Sequence, residues 1–144
     1  MKYLSSKSQD TINFAKKLAK GFKGGEVLAL IGDLGAGKTA FCRGLAQGLG
    51  IKRNINSPTF VIMKVYKVAC GNIKHFIHID AYRLSSAQSL VDIGVQEYLS
   101  AKDAVVVIEW ADRVKEILPR KTQVINFKHL EENKREIVIK NAGH

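Results

Sequence analysis

One eight-residue segment limits the fold of this chain more than any other feature. Residues 32–39 read GDLGAGKT and match the pattern G-x-x-x-x-G-K-[ST], in which a glycine-rich loop wraps its backbone N–H groups around phosphates. A short apolar run, residues 26–31, precedes the segment and predicts a buried strand, and residues 38–49 follow it with the periodicity of a helix. Strand, loop and helix in this order predict a phosphate-binding loop.

Two side chains of this loop have predicted tasks in nucleotide binding. Lys38 is expected to neutralise the β and γ phosphates of ATP, and the Thr39 hydroxyl is expected to bind Mg²⁺. The alternative is a plain glycine turn between strand and helix with an exposed lysine. The positions expected to line the phosphates are Leu34, Gly35, Ala36, Gly37, Lys38, Thr39 and Ala40.

A metal-binding carboxylate is expected at the end of a strand beside the loop, and the sequence offers two. Asp80 ends one predicted strand, and Glu109 ends the run 104–108, whose β-branched residues predict a central strand buried on both faces. Because the metal-side acid of such a site projects from a central strand, Glu109 is expected to hold Mg²⁺ directly or through water. Asp80 is then a second acid or, alternatively, a strand-end cap or a partner of Arg83.

The tripeptide SPT at residues 57–59 lies between the helix after the loop and the next predicted strand. Loops at this place commonly change conformation with the γ-phosphate, which would make Thr59 a sensor. A proline turn that starts a strand accounts for the same residues. From the residues alone, both interpretations remain open.

The rest of the chain predicts alternating strands and helices with hairpins added. These strands and helices predict an α/β fold of the P-loop NTPase type, a three-layer α/β/α sandwich around a mixed sheet of about seven strands. The strand at 73–79 alternates like a half-covered strand. Helices are expected at 9–20 with Ser8 as N-cap, after a capping box formed by Ser85 and Gln88, at 95–99 and at 111–118; strands are expected at 60–68, 73–79, 122–128 and 135–140.

Length and composition limit the class of protein. The 144 residues fit a single domain, expected over residues 1–144. Every apolar run is far shorter than the roughly 20 residues that cross a bilayer, and the N-terminus lacks the apolar segment of a secretory signal. A cytoplasmic protein without a membrane partner is expected. Cys42 and Cys70 lie in no cluster with metal-ligand spacing and are interpreted as small fillers.

The net charge of +10 favours an anionic partner. The excess lies in residues 1–79, with 13 basic and 3 acidic side chains, and suits nucleotides, RNA or an acidic protein. Solvated lysines that aid solubility are the alternative. Since 17 of the 23 basic residues are lysine and no aromatic-basic stacking motif is visible, direct nucleic-acid reading is less favoured.

Several short segments together resemble one known family. They are GDLGAGKT at 32–39, SPTF at 57–60, HIDAYRL at 78–84, IG at 93–94 with EYL at 97–99, and IEW at 108–110. In order and spacing they resemble the bacterial tRNA threonylcarbamoyladenosine biosynthesis ATPases, the TsaE (YjeE) family, over roughly residues 8–119. The resemblance implies a Mg-dependent ATPase that acts with a TsaB/TsaD-type complex in making N6-threonylcarbamoyladenosine at position 37 of tRNA. Contact with tRNA would be indirect, through that complex.

The resemblance also implies roles for single residues. Besides Lys38 and Thr39 in the loop, it implies catalytic roles for Thr59, Asp80 and Glu109. Trp110 would stand beside the acids, Ser8 and Thr11 would approach the nucleotide, and Asn133 and Lys134 would close over the base. In place of Ala40 the family usually has threonine, so a hydroxyl that would bond the α-phosphate is missing.

Two other functions remain open. A small-molecule kinase of this fold usually adds an acceptor site and an arginine-bearing lid, for which the short chain leaves little room. A basic RNA-binding module with a vestigial loop would bind tRNA independently of ATP. Since no arginine occupies an obvious finger position beside the loop, weak intrinsic ATPase activity that a partner increases is expected.

Overall fold

The computed structural model describes residues 1–33, 35, 37–53, 55, 62–131 and 134–141. Within these residues the chain forms a seven-stranded sheet with helices on both faces. In chain order the elements are β1 (Lys2–Ser5), α1 (Ser8–Ala19), β2 (Val27–Gly32), α2 (Lys38–Gly48), β3 (Met63–Cys70), β4 (Ile73–Asp80), α3 (Gln88–Asp92), α4 (Val95–Ser100), β5 (Ala104–Glu109), a 3-10 helix (Ala111–Ile117), β6 (Gln123–His129) and β7 (Arg135–Asn141).

The sheet is mixed, with the order β1-β7-β6-β2-β5-β4-β3. β6, β2, β5 and β4 are parallel neighbours, whereas β3, β7 and β1 pair antiparallel with the strands beside them. One core lies between the sheet and helices α1 and α2, and the second lies between the sheet and α3, α4 and the 3-10 helix. The predicted three-layer sandwich around a mixed sheet is confirmed.

β5 is the central strand that its sequence predicts. All six of its residues are buried, and it pairs in parallel with β2 on one side and β4 on the other. Because side chains alternate along a strand, Glu109 faces the same side as Val105 and Val107, which pack in the core below α2. The acid at the end of β5 therefore points toward the helix that follows the glycine-rich loop.

α1 packs closely on α2 because two glycines of α2 leave room for its backbone. A Cβ atom at Gly44 would clash with the carbonyl oxygen of Ile12 and lie 2.7 Å from the Cβ of Ala15. A Cβ atom at Gly48 would lie 2.6 Å from the carbonyl oxygen of Lys16. This close contact brings the start of α1 beside the glycine-rich loop, where Thr11 neighbours Gly37.

Two predicted helix caps are wrong. Helix α1 begins at Ser8 after the extended residue Lys7, and the Ser8 side chain makes no cap. The first turn is instead joined to the chain before it through Asp10, whose carboxylate accepts the Ser6 amide at 3.0 Å. Helix α3 begins only at Gln88, so Ser85 and Gln88 do not form a capping box.

Other differences arise from tertiary contacts. The sequence analysis did not predict β1, because a strand of only four residues shows almost no periodicity of apolar residues; it pairs with β7. β4 is not half-covered, because residues 76–79 are all buried, with Phe76 in the core below α1 and α2 and Ile77 and Ile79 in the core on the other face of the sheet. The helix expected at 111–118 is a 3-10 helix with a kink at Val114. β3 begins at Met63, and residues 56–61 lie outside the described part of the chain. The other predicted elements match to within one residue.

Candidate nucleotide-binding site

A cleft of about 400 Å³ opens where the parallel strands β2, β4 and β5 end. In open α/β sheets ligands bind beyond the carboxyl ends of parallel strands, and this cleft lies in that place. Side chains from the ends of several strands and from the glycine-rich loop meet there. Its described lining residues are Ser8, Gly35, Gly37, Lys38, Thr39, Ala40, Asp80, Tyr82, Glu109, Trp110 and Arg135.

Two described glycines of the glycine-rich loop have backbone conformations that suit an anion cradle. Gly35 and Gly37 have φ angles of 78° and 99°, in the left-handed region that favours glycine. A Cβ atom at Gly35 would meet nothing within 4 Å, so the loop borders open space. α2 begins at Lys38, and the N–H groups of its first turn have no partner within the helix. The loop and the helix start together suit a phosphate chain.

Lys38 is held on the loop itself. Its side chain is 5% exposed, and its ammonium donates to the carbonyl oxygens of Gly32 at 2.6 Å and Asp33 at 2.8 Å. Burial lowers the pKa of Lys38, although the nearby Glu109 carboxylate acts in the opposite direction. The ammonium also lies 4.1 Å from the centre of the Trp110 ring. A partly desolvated cation therefore stands at the wall of the cleft.

Trp110 forms this wall through an uncommon backbone conformation. Its φ angle is 59°, the one positive value among the described residues other than glycine. A left-handed conformation costs a residue with a side chain roughly 1–2 kcal/mol. Here it turns the chain from β5 into the 3-10 helix and places the indole 4.9 Å from the ring of Tyr82. The guanidinium of Arg113 lies 5.5 Å from the centre of the Tyr82 ring and 5.9 Å from that of the Trp110 ring, so it extends this aromatic pair toward the surface.

Glu109 is the most enclosed acid of the cleft. Its side chain is almost fully buried, and Thr39 Oγ1 donates to its Oε1 at 3.4 Å. On the other oxygen, His78 Nε2 donates to Oε2 at 2.5 Å, and the Cys42 thiol lies 3.8 Å away. His78 and Cys42 thus hold Oε2 on the core side, while Oε1 faces the threonine of the loop.

Asp80 lies opposite Glu109 in the register of β4 and β5. It lines the cleft, and its Oδ1 accepts the Tyr82 amide at 3.0 Å, so it also caps the end of its strand. Burial raises the pKa of Asp80, the Tyr82 amide opposes that shift, and the charge of Glu109 adds to it. A carboxyl group with a raised pKa takes up a proton more readily than an exposed one.

The structure brings most of the predicted residues together. A smaller recess of about 90 Å³ continues the cleft and is lined by Ser8, Thr11, Gly37, Ala40 and Arg135. The Thr11 hydroxyl is already engaged there, 2.8 Å from Ser5 Oγ. Lys134 is exposed at the start of β7. The remaining predicted positions, Leu34, Ala36, Thr59 and Asn133, lie outside the described residues.

Sequence reasoning missed several residues of the site. His78 lies two residues before Asp80 on a strand, and Cys42 lies three residues after Thr39 on a helix; this spacing puts each pair on one face. Cys42 is therefore more than a filler, since it touches Glu109, and burial raises its thiol pKa well above the usual value. Tyr82 lies two residues after Asp80, within the HIDAYRL segment.

The structure places an arginine beside the glycine-rich loop that the sequence did not indicate. Arg135 lines both the cleft and the recess together with Gly37 and Ala40. No sequence signal could have shown this, because β7 reaches the loop only through its pairing with β6 and β1. The arginine is brought to the site by the sheet and not by a motif.

Comparisons with known proteins agree on one family. The profile of the family described as "Threonylcarbamoyl adenosine biosynthesis protein TsaE" matches residues 5–137. The tRNA threonylcarbamoyladenosine biosynthesis protein TsaE of Treponema pallidum is 40% identical over 139 residues, which cover 96% of this chain and 99% of that protein. The Bacillus subtilis protein of the same name is 38% identical over 144 residues, covering 100% and 87%.

A solved structure shows the same fold. The crystal structure of Bacillus subtilis YdiB superposes with a TM-score of 0.80 at 35% sequence identity, covering 99% of this chain and 86% of that one. None of the described helices has the length and apolar character that a membrane crossing requires.

Replacing His78 tests how far the buried acid depends on its partner. His78→Ala should lower the free energy of unfolding by about 2–4 kcal/mol, because it leaves one oxygen of Glu109 buried without its donor and opens a cavity. His75→Ala, on the same strand but only half-buried, is the matched control and should cost less than about 1 kcal/mol. Urea unfolding followed by circular dichroism measures both, and equal losses would contradict this dependence.

Proposed function

The chain belongs to the TsaE family of threonylcarbamoyl adenosine biosynthesis proteins, and we propose that it binds and hydrolyses ATP with Mg²⁺ in this tRNA modification. One observation carries the proposal. The phosphate-binding loop, the lysine and threonine of its motif and two strand-end acids line a single cleft. This is the set of groups that phosphoryl chemistry requires, since positioning and charge stabilisation do most of its work.

The residues of the cleft fit a magnesium ion. Thr39 Oγ1 and Glu109 Oε1 are 3.4 Å apart and both belong to the lining of the cleft, so one small cation could touch both. Mg²⁺ prefers oxygen ligands and keeps several waters, which a half-open cleft allows. Thr39 and Glu109 would hold the ion, directly or through water. When bound, it would neutralise charge that develops on the phosphate oxygens.

Lys38 would bind the phosphates by exchanging its hydrogen-bond acceptors. Its ammonium is bound by two loop carbonyls, of Gly32 and Asp33, and phosphate oxygens would replace these acceptors. Because its position is already restricted by burial and by Trp110, little side-chain freedom remains to be lost when the nucleotide binds. Lys38 therefore supplies a preorganised charge.

Asp80 is the better candidate for handling water. It is less enclosed than Glu109 and is not bound to the loop threonine, and its raised pKa suits a group that accepts a proton. We assign to it the positioning or activation of the attacking water. Glu109, fixed by His78 and Thr39, serves the metal.

A protein partner would complete this site. The cleft lies open at the strand ends, and the described residues include no lid over it. A TsaB/TsaD-type complex would therefore exclude water and add transition-state charge, and tRNA would be reached only through that complex. The excess of basic residues over positions 1–79 would favour an acidic docking surface. We place the protein in the cytoplasm, where this reaction would meet its tRNA.

Nucleotide binding should appear as a thermal shift. Mg·ATP at about 100 times its dissociation constant should raise the melting temperature by roughly 5–10 °C, and Lys38→Ala should remove most of this shift. Differential scanning calorimetry with and without nucleotide measures it. Lys17→Ala, an exposed lysine of α1, is the control and should keep the full shift. A wild-type chain whose melting temperature ignores Mg·ATP would contradict the proposed function.

The two acids should separate binding from hydrolysis. Glu109→Gln should weaken nucleotide binding in the presence of Mg²⁺ and leave binding without Mg²⁺ nearly unchanged, because the carboxylate serves the ion. Asp80→Asn should bind Mg·ATP almost as well as the wild type and lose hydrolysis by about 100-fold or more. Isothermal titration calorimetry and phosphate release under single-turnover conditions distinguish the two. Loss of both properties in both variants would refute this division of roles.

Partner dependence should appear in steady-state turnover. The pure chain should hydrolyse ATP slowly, and a TsaB/TsaD-type complex should increase the rate about tenfold or more. The increase should diminish between about 50 and 300 mM salt, since part of the association is electrostatic. Phosphate release with the complex added or omitted measures it. If the complex leaves the rate of hydrolysis by the pure chain unchanged, the proposal that a partner completes the site is wrong.

A further inference from the structure

Arg135 lies beside the phosphate-binding loop although the sequence separates them widely. As the first residue of β7 it pairs with Ser5 of β1 and His129 of β6, so its backbone is fixed between two strands. Its half-buried side chain lines both the cleft and the recess. An arginine is always charged in proteins. β7 therefore brings a permanent cation beside the loop.

The recess has the charge of an anion site. Its described lining contains one cation and no carboxylate, whereas the acids of the larger cleft lie on β4 and β5. Around Arg135 stand two hydroxyl side chains, Ser8 and Thr11, and the loop backbone at Gly37. The Thr11 hydroxyl donates to Ser5 Oγ, and the Arg135 guanidinium donates to the carbonyl oxygen of Lys134 at 3.4 Å. An anionic group placed here would meet this guanidinium, the Ser8 hydroxyl and the loop backbone, with no carboxylate among the described lining residues.

The position of the recess indicates which phosphate it would take. Lys38, Thr39 and Glu109 line the cleft but not the recess, so the groups assigned to the β and γ phosphates and the metal lie in the part of the cleft away from the recess. The loop backbone of this motif cradles the α and β phosphates. The recess is therefore the α-phosphate side of the cleft.

Ala40 leaves this side without a hydrogen-bond donor from its own side chain. It is almost fully buried at the wall of the recess, and its methyl group can only fill space. We propose that Arg135 binds the α-phosphate of the nucleotide at the wall formed by Ala40. This proposal rests on the proposed binding of ATP and adds to it a cation from the last described strand.

The α-phosphate is common to ATP and ADP, and this makes the proposal testable. Arg135→Gln, which keeps a polar side chain but shortens it and removes its charge, should weaken binding of Mg·ATP and Mg·ADP by similar factors, roughly 10- to 100-fold. Isothermal titration calorimetry on the full chain measures both dissociation constants. An arginine directed at the γ-phosphate would instead change ATP affinity alone, and that result would overturn the proposal.

Three further variants separate charge at this site from other effects. Lys140→Gln removes an exposed cation from the other end of β7 and should leave both affinities within about twofold. Arg135→Lys keeps the charge and should lose less affinity than Arg135→Gln; equal loss would show that packing matters and not charge. Ala40→Ser in the Arg135→Gln background should recover about threefold or more, because it adds a hydroxyl to the same wall.

The outcomes also separate this proposal from the proposed function. If the wild type binds Mg·ATP and Arg135→Gln binds both nucleotides equally well, the α-phosphate assignment is wrong and the ATPase proposal stands. If the wild type binds neither nucleotide, the proposed function itself fails. Urea unfolding of each ligand-free variant verifies that it is folded, and Arg135→Lys provides the measurement if the glutamine variant is not.

Discussion

The site depends first on the register of three parallel strands. Leu30 of β2 pairs with Glu109 of β5, and Glu109 pairs with Asp80 of β4, so the strand that leads into the loop and both acids end at one level. A slip of one residue between β2 and β5 would turn Glu109 to the opposite face of the sheet. The register is well specified because β5 is buried on both faces and cannot shift without exposing apolar side chains. Core packing thus fixes the distance between the loop and the acids.

The same packing leaves Glu109 almost fully buried at the cleft. An ionised carboxylate in the interior needs donors of its own, and Glu109 has Thr39 on one oxygen and His78 on the other. His78 comes from β4, so two neighbouring strands and the first turn of α2 contribute to one carboxylate. Trp110, in its strained conformation, screens the adjacent Lys38 in a similar way. The candidate site is therefore built into the core and is not a surface feature added to it.

Much of the fold could be predicted from local patterns, and what could not be predicted depends mostly on contacts between elements. Buried strands such as β5 and loops with fixed glycine spacing carry strong signals in sequence, and both were identified. The caps predicted at Ser8 and Ser85 are wrong because the helices begin after Lys7 and after Ala87, one and two residues from the predicted cap. The contact of Cys42 with Glu109 required knowledge of which helix lies over which strand. Arg135 required the strand order, which one sequence without its relatives does not contain.

The position of β2 in the sheet has a consequence for how the chain folds. β2 pairs only with β5 and β6 among the described strands, joining Val27 to Val106 and Leu28 to Gln123. The strand that leads into the glycine-rich loop therefore finds no partner until most of the chain has been synthesised. Long-range parallel pairing is slow because loop closure precedes any gain from contacts. The loop, although encoded early in the sequence, should be among the last parts to become ordered on the ribosome.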